Sequence, residues 1–100
     1  MANTADIVIV GGGVHGASTA WHLAKRGAGK IILIEKEGIA AGASGWSSAI
    51  VRMHYTLESL TRVAMYGREM FGDWKNIVGV GESGFRQVGF LILFATAEVP

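Results

Sequence analysis

The chain has 100 residues, half of them apolar and 17% charged, with a formal net charge of +1 and no cysteine. That length holds at most one ordinary domain, and the composition is that of globular material rather than a disordered tail. A charge this near zero gives no general attraction to nucleic acid or an anionic membrane; without cysteine, disulfides, thiolate-bound zinc, iron–sulfur clusters and cysteine-linked cofactors are excluded within these residues.

The N-terminal stretch MANTADIVIV has no basic segment before its apolar run, and the run breaks at Gly11. It is too short for a signal core or a membrane span, so a buried strand over Asp6–Val10 and a cytoplasmic location are expected. Four consecutive β-branched residues, Ile7 to Val10, suit a parallel strand buried on both faces. Gly11, Gly13 and Gly16 follow in the spacing G-x-G-x-x-G, which turns a strand sharply into a helix beneath a pyrophosphate. The helix is expected over Val14–Arg26, with cations at Lys25 and Arg26 in its last turn and Gly27 just past its end. Lys30–Ile34 is the second buried strand, closing a βαβ unit.

Glycine spacing alone is a weak signal in a chain with 15 glycines. Here it sits between a strand and a helix, and Glu35 stands at the end of the next strand, about twenty residues on. Backbone N–H groups at the helix start, from Val14 onward, lack intrahelical partners and suit an anion. Gly11 permits the tight turn, Gly13 the close approach of a pyrophosphate, and Gly16 close helix–sheet packing. Glu35 is placed to accept ribose hydroxyls and disfavours a 2′-phosphate. His15 at the helix entry is either a simple exposed residue or a cation beside the phosphates. Lys36 lies over the adenosine end or is a solvated lysine.

Gly38–Gly45 is a small-residue loop, readable from composition as a surface connection. Trp46–Tyr55 ends with Arg52, His54 and Tyr55 close together. Arg52, flanked by Ile50, Val51 and Met53, calls for an anion; a substrate carboxylate and a salt bridge to Asp or Glu satisfy it equally. Leu57–Val78 is expected as one long helix, with Leu57, Leu60, Ala64, Gly67, Phe71, Trp74 and Val78 forming an apolar stripe. Gly79–Gly84 is a turn. Phe85–Ala95 reads as one or two strands of a second sheet, with Gly89 as a bulge. His15, His22 and His54 have no metal-ligand spacing, and no metal is expected. After Glu35 there is no third strand–helix unit, so the chain is expected to be the N-terminal part of a larger α/β protein.

With the glycine turn, Glu35-Lys36 and GIAAGASGWSSAIVRMHY in hand, the sequence resembles the D-amino-acid oxidase-like family of FAD-dependent oxidoreductases. Within that family it is most similar to the sarcosine oxidase and dimethylglycine dehydrogenase branch. The resemblance spans nearly the whole chain, and the loop ending in Arg52-x-x-Tyr55 is its more discriminating part. It implies a Rossmann-like FAD-binding unit over residues 1–56, a connecting amphipathic helix over 57–80 and the start of a mixed-sheet substrate domain over 81–100. It implies FAD with Gly11, Gly13, Val14, His15 and Gly16 at the pyrophosphate and Glu35 and Lys36 at the adenosine. Gly42, Ala43, Ser44 and Ser48 match the second loop along the cofactor. Arg52 matches the arginine that holds a substrate carboxylate, with Tyr55 beside it.

The branch's Trp-His pair, whose histidine bonds covalently to the flavin, is Trp46-Ser47 here, so non-covalent FAD is expected. The implied activity is oxidation of the C–N bond of a small secondary or tertiary amine or amino acid, with a protein electron acceptor or partner subunit as a further partner. On the glycine turn alone, another FAD or NAD enzyme or a non-catalytic nucleotide-binding module fits as well.

Overall fold

The computed structural model describes residues 4–93 and Ala95. Two compact units divide between Ile50 and Val51.

In the first unit, strand β1 (Ile7–Val10) leads to helix α1 (Val14–Lys25), then strand β2 (Ile31–Ile34) and a single turn, α2 (Ala43–Trp46). The two strands pair in parallel with Ile7 opposite Ile31 and Val10 opposite Ile34, so their C-terminal ends are flush. Helix α1 packs on both strands. Ile9 faces it beneath Gly16, and Ile7, Ile31 and Leu33 share the half-buried face. Val8, Val10, Ile32 and Ile34 point to the opposite face and are exposed. The expectation of strands buried on both faces is therefore corrected. A single crossover helix covers one face of a sheet, and the alternation of side chains leaves the other uncovered.

The expected boundaries shift by one residue at three places. Asp6 precedes β1 as a bend: its N–H donates to the Lys30 carbonyl at 2.9 Å while its Oδ2 accepts the Lys30 N–H at 2.7 Å, closing the start of the ladder. Lys30 likewise precedes β2. Helix α1 ends at Lys25 with Arg26 as its cap. The Gly27 N–H donates to the Ala24 carbonyl and the Ala28 N–H to the Leu23 carbonyl. With Gly27 at φ 68°, this is a Schellman stop, which explains a glycine there.

The second unit carries helix α3 (Glu58–Gly72) and the short helix α4 (Trp74–Ile77). The expected single helix over Leu57–Val78 is broken at Asp73, at φ −117° and ψ 36°. The Asp73 N–H still closes α3 onto the Glu69 carbonyl at 3.0 Å, while its own carbonyl accepts the N–H groups of Asn76 and Ile77, both at 3.1 Å. Its carboxylate also takes Asn76 Nδ2 at 2.6 Å. Asp73 thus ends α3 as its C-cap and opens α4 as its N-cap, with a ψ outside the helical range.

Phe71 stacks between Trp74 and Phe85, with centroids 6.1 and 6.5 Å away. Ser83 ties this cluster: its Oγ donates to the Phe71 carbonyl at 2.7 Å and accepts the Phe85 N–H at 3.2 Å. The expected strands over Phe85–Ala95 do not form among the described residues, since no partner strand lies beside them; Phe94 is outside the described residues. Gly89 does adopt a positive φ of 91°. No helix among the described residues is long and apolar enough to cross a membrane.

Candidate functional site

The flush strand ends bring the glycine turn and Glu35 side by side. Gly11 turns the chain at φ 106°, a conformation that L side chains rarely adopt, while its N–H donates to the Ile34 carbonyl at 2.8 Å. Gly16 has a different constraint: a Cβ there would run into the Gly11 carbonyl oxygen. Helix and turn can meet only through a bare backbone.

Gly12 is the one buried residue among those described. Its N–H donates to Glu35 Oε2 at 2.7 Å, and its carbonyl accepts the Ala40 N–H at 3.0 Å. A side chain on Gly12 would meet Ile39 at 2.9 Å and the Glu35 stem at 3.2 Å. Spacing rules single out the flanking glycines and miss this one. The GGG triplet, with more glycine than the spacing needs, was its signal.

Both oxygens of Glu35 accept backbone N–H groups, since Glu37 donates to Oε1 at 3.0 Å. The Gly12 N–H, then the Glu37 N–H, hold the carboxyl below its ordinary value and ionised; burial opposes them, and Lys36 adds weakly to the lowering. A carboxylate has about four lone-pair sites, so two bonds leave capacity for further donors. The Lys36 ammonium itself pairs with Glu37 at 3.7 Å on the open surface.

At the entry to α1 the first intrahelical bond runs from the Ala17 N–H to the Gly13 carbonyl, at 2.9 Å. The N–H groups of Val14, His15 and Gly16 precede it. The Val14 N–H is taken by Ser44 Oγ at 2.8 Å, which corrects the expectation that every donor at this helix start is unpaired. The exposed His15 stands at the second helical position. Gly42 caps α2, its carbonyl accepting the N–H groups of Gly45 and Trp46. Ala43 opens that turn, and the exposed Ser48 follows it. Trp46 is 87% exposed, its Nε1 donating to the Ala41 carbonyl at 3.2 Å.

Arg52 and Tyr55 lie in the second unit, where the guanidinium sits over the tyrosine ring, 5.1 Å from its centroid. Among the described residues no carboxylate pairs with Arg52. His54 packs beside Phe90 at 5.9 Å. No group of three or more His, Asp or Glu among the described residues could hold a metal ion.

A side-chain-free turn, helix-start N–H groups aimed along the axis and an ionised carboxylate at the adjacent strand end fit a dinucleotide. Residues 6–100 match the family DAO, FAD dependent oxidoreductase. The chain belongs to that family. It is an α/β protein with a Rossmann-like βαβ start.

Among its relatives is human dimethylglycine dehydrogenase, mitochondrial, 47% identical over 92% of this chain and 10% of that protein. Sarcosine oxidase subunit beta of Rhizobium meliloti is 43% identical over 52% of this chain and 13% of that protein. The mouse pyruvate dehydrogenase phosphatase regulatory subunit, mitochondrial, is 30% identical over 94% of this chain and 11% of that protein. The chain thus spans about a tenth of the length of the curated relatives it matches. No solved structure matches it significantly.

Proposed function

We propose that the protein carrying this chain oxidises the C–N bond of a small secondary or tertiary amine or amino acid, of the sarcosine kind, using non-covalently bound FAD. The observation that carries this reading is the family match, joined to relatives named for sarcosine and dimethylglycine. FAD, when bound, supplies the hydride acceptor.

The chain's own residues supply position and charge. Backbone N–H groups of His15 and Gly16, at the positive end of α1, hold the pyrophosphate, and Gly11 and Gly13 leave it room. Glu35 accepts ribose hydroxyls with an ionised carboxylate, and Lys36 lies at the adenosine end. Residues 42–44 and Ser48 form the second cofactor loop. Arg52, flanked by Tyr55, pairs with the substrate carboxylate and aligns the C–H bond that is broken. Loss of hydride from that carbon leaves an iminium ion, which water hydrolyses to an amine and a carbonyl compound. A protein electron acceptor or partner subunit completes the proposal.

The test is anaerobic addition of sarcosine or dimethylglycine to the FAD-loaded intact protein. Bleaching of the visible flavin absorbance is the expected result; an unchanged spectrum with both amines overturns the reading. A second reading, a non-catalytic nucleotide-binding module, is favoured by the relative named as a regulatory subunit. It predicts tight FAD binding with no bleaching by any amine.

A further inference from the structure

We propose that Ser44 is a positioning residue whose hydroxyl docks the 38–46 segment onto the glycine turn, and that Gly13 lacks a side chain in order to admit it. The Val14 N–H and Ser44 Oγ meet at 2.8 Å across 30 positions of sequence. The segment is tied a second time where the Ala40 N–H donates to the Gly12 carbonyl, with Ala40 held at φ 61°. A non-glycine residue in that conformation is uncommon and needs its surroundings to hold it there.

Gly13 has a backbone that any residue adopts, at φ −77° and ψ −176°. Its conformation therefore gives no reason for glycine. Space does: a Cβ at Gly13 would lie 3.1 Å from Ser44 Oγ and 4.0 Å from Ser44 Cβ, and nothing else comes within 4 Å. The Ser44 hydroxyl would have to yield by a few tenths of an ångström, lengthening its bond to Val14. Glycine at this place in the pattern is ordinarily explained by close approach of a pyrophosphate. Here the Ser44 hydroxyl sets a second constraint at the same position.

The hydroxyl accepts one bond from the helix start and keeps its own proton to donate to an anion at the same end of α1. Docking the segment through the protein's own bonds also means that cofactor binding does not have to order it. The affinity part of this proposal rests on the FAD reading above; the docking part does not.

The experiment compares the intact wild-type protein with Ser44→Ala, Gly13→Ala, the double variant and Ser44→Thr. Two quantities are read: amide hydrogen exchange at Val14 without cofactor, and the dissociation constant for FAD. Far-UV circular dichroism selects variants that retain the fold. Each single alanine variant should speed exchange at Val14 about fivefold to tenfold, the loss of one hydrogen bond, and weaken FAD comparably. The double variant should be no worse than the poorer single, because both changes remove the same bond. Ser44→Thr, which keeps the hydroxyl, should restore protection at Val14. Multiplying effects in the double variant, or unchanged exchange in Ser44→Ala, overturns the proposal. Wild type that does not bind FAD defeats the cofactor reading alone, and the exchange measurements still decide on Ser44.

Discussion

Glu35 Oε2 accepts the Gly12 N–H at 2.7 Å, joining the end of one strand to the turn after the other across 23 positions. The bond uses a charged acceptor, which makes it stronger than a neutral one. It also settles the ionisation of the carboxylate at the place where ribose hydroxyls are proposed to bind.

The folded-state value of Glu35 lies below its ordinary value of 4.5, so its contribution to stability is fully present above that pH. It is lost as pH falls through the lowered value. Thermal unfolding of the wild type should therefore decline more steeply with acid below about pH 4.5 than that of Glu35→Gln. Parallel curves for the two proteins would remove the Gly12 bond from the account. The same variant should weaken FAD by about tenfold or more at neutral pH, measured by titration, because a charged acceptor is replaced by a neutral one.

Two glycines fail for different reasons, and alanine scanning should separate them. At Gly11 the space is open and the penalty is the positive φ, about 1–3 kcal/mol. At Gly16 the obstacle is the Gly11 carbonyl, a backbone atom that cannot swing aside. Gly16→Ala should thus be the more destabilising in denaturant titration and should lose FAD outright, with α1 pushed off the turn. Equal, mild effects would contradict the observed closeness of helix and turn.

Arg52→Ala should keep FAD binding and lose most turnover of an N-methyl amino acid. Arg52→Lys should recover little of it, since an ammonium cannot make the two parallel bonds of a guanidinium. Steady-state kinetics on both variants checks this. Undiminished kcat/KM would remove Arg52 from the substrate site.

Ser83→Ala should destabilise the second unit by about 1–2 kcal/mol, because the Phe71 carbonyl and the Phe85 N–H lose their shared partner. Cysteine at this position should not rescue it, being a weak donor. Thermal denaturation followed by tryptophan fluorescence reports the change, since Trp74 stacks on Phe71.

The βαβ start was legible because local signals agree there: β-branched runs, glycine spacing and a Gly27 stop each imply the same boundaries. The break at Asp73 was hidden by Trp74 and Val78, which continue the apolar spacing in the sequence; it shows only in the backbone angles of Asp73. Residues 85–93 carry strand-forming side chains, but a strand exists only when another pairs with it, and pairing is not a local property. Gly12 and Ser44 illustrate the same limit at the site. Their constraints come from residues 23 and 30 positions away; the spacing rule that finds Glu35 assigns it to a ribose and does not reveal its bond to Gly12, and no such rule reaches Ser44. The resemblance placed Ser44 near the cofactor, without indicating that it would bind the helix start.

The register of the two strands acts as a ruler for the site. With Val10 level with Ile34, the next residue of each strand falls at the mouth of the turn. One residue inserted into the Ala28–Lys30 connection would be absorbed by the loop, as surface connections generally allow. The same insertion between Ile31 and Ile34 would carry Glu35 about 3.3 Å further along and exchange the inner and outer faces of the strand. Natural length variation in this region should therefore collect before Ile31 and stop there.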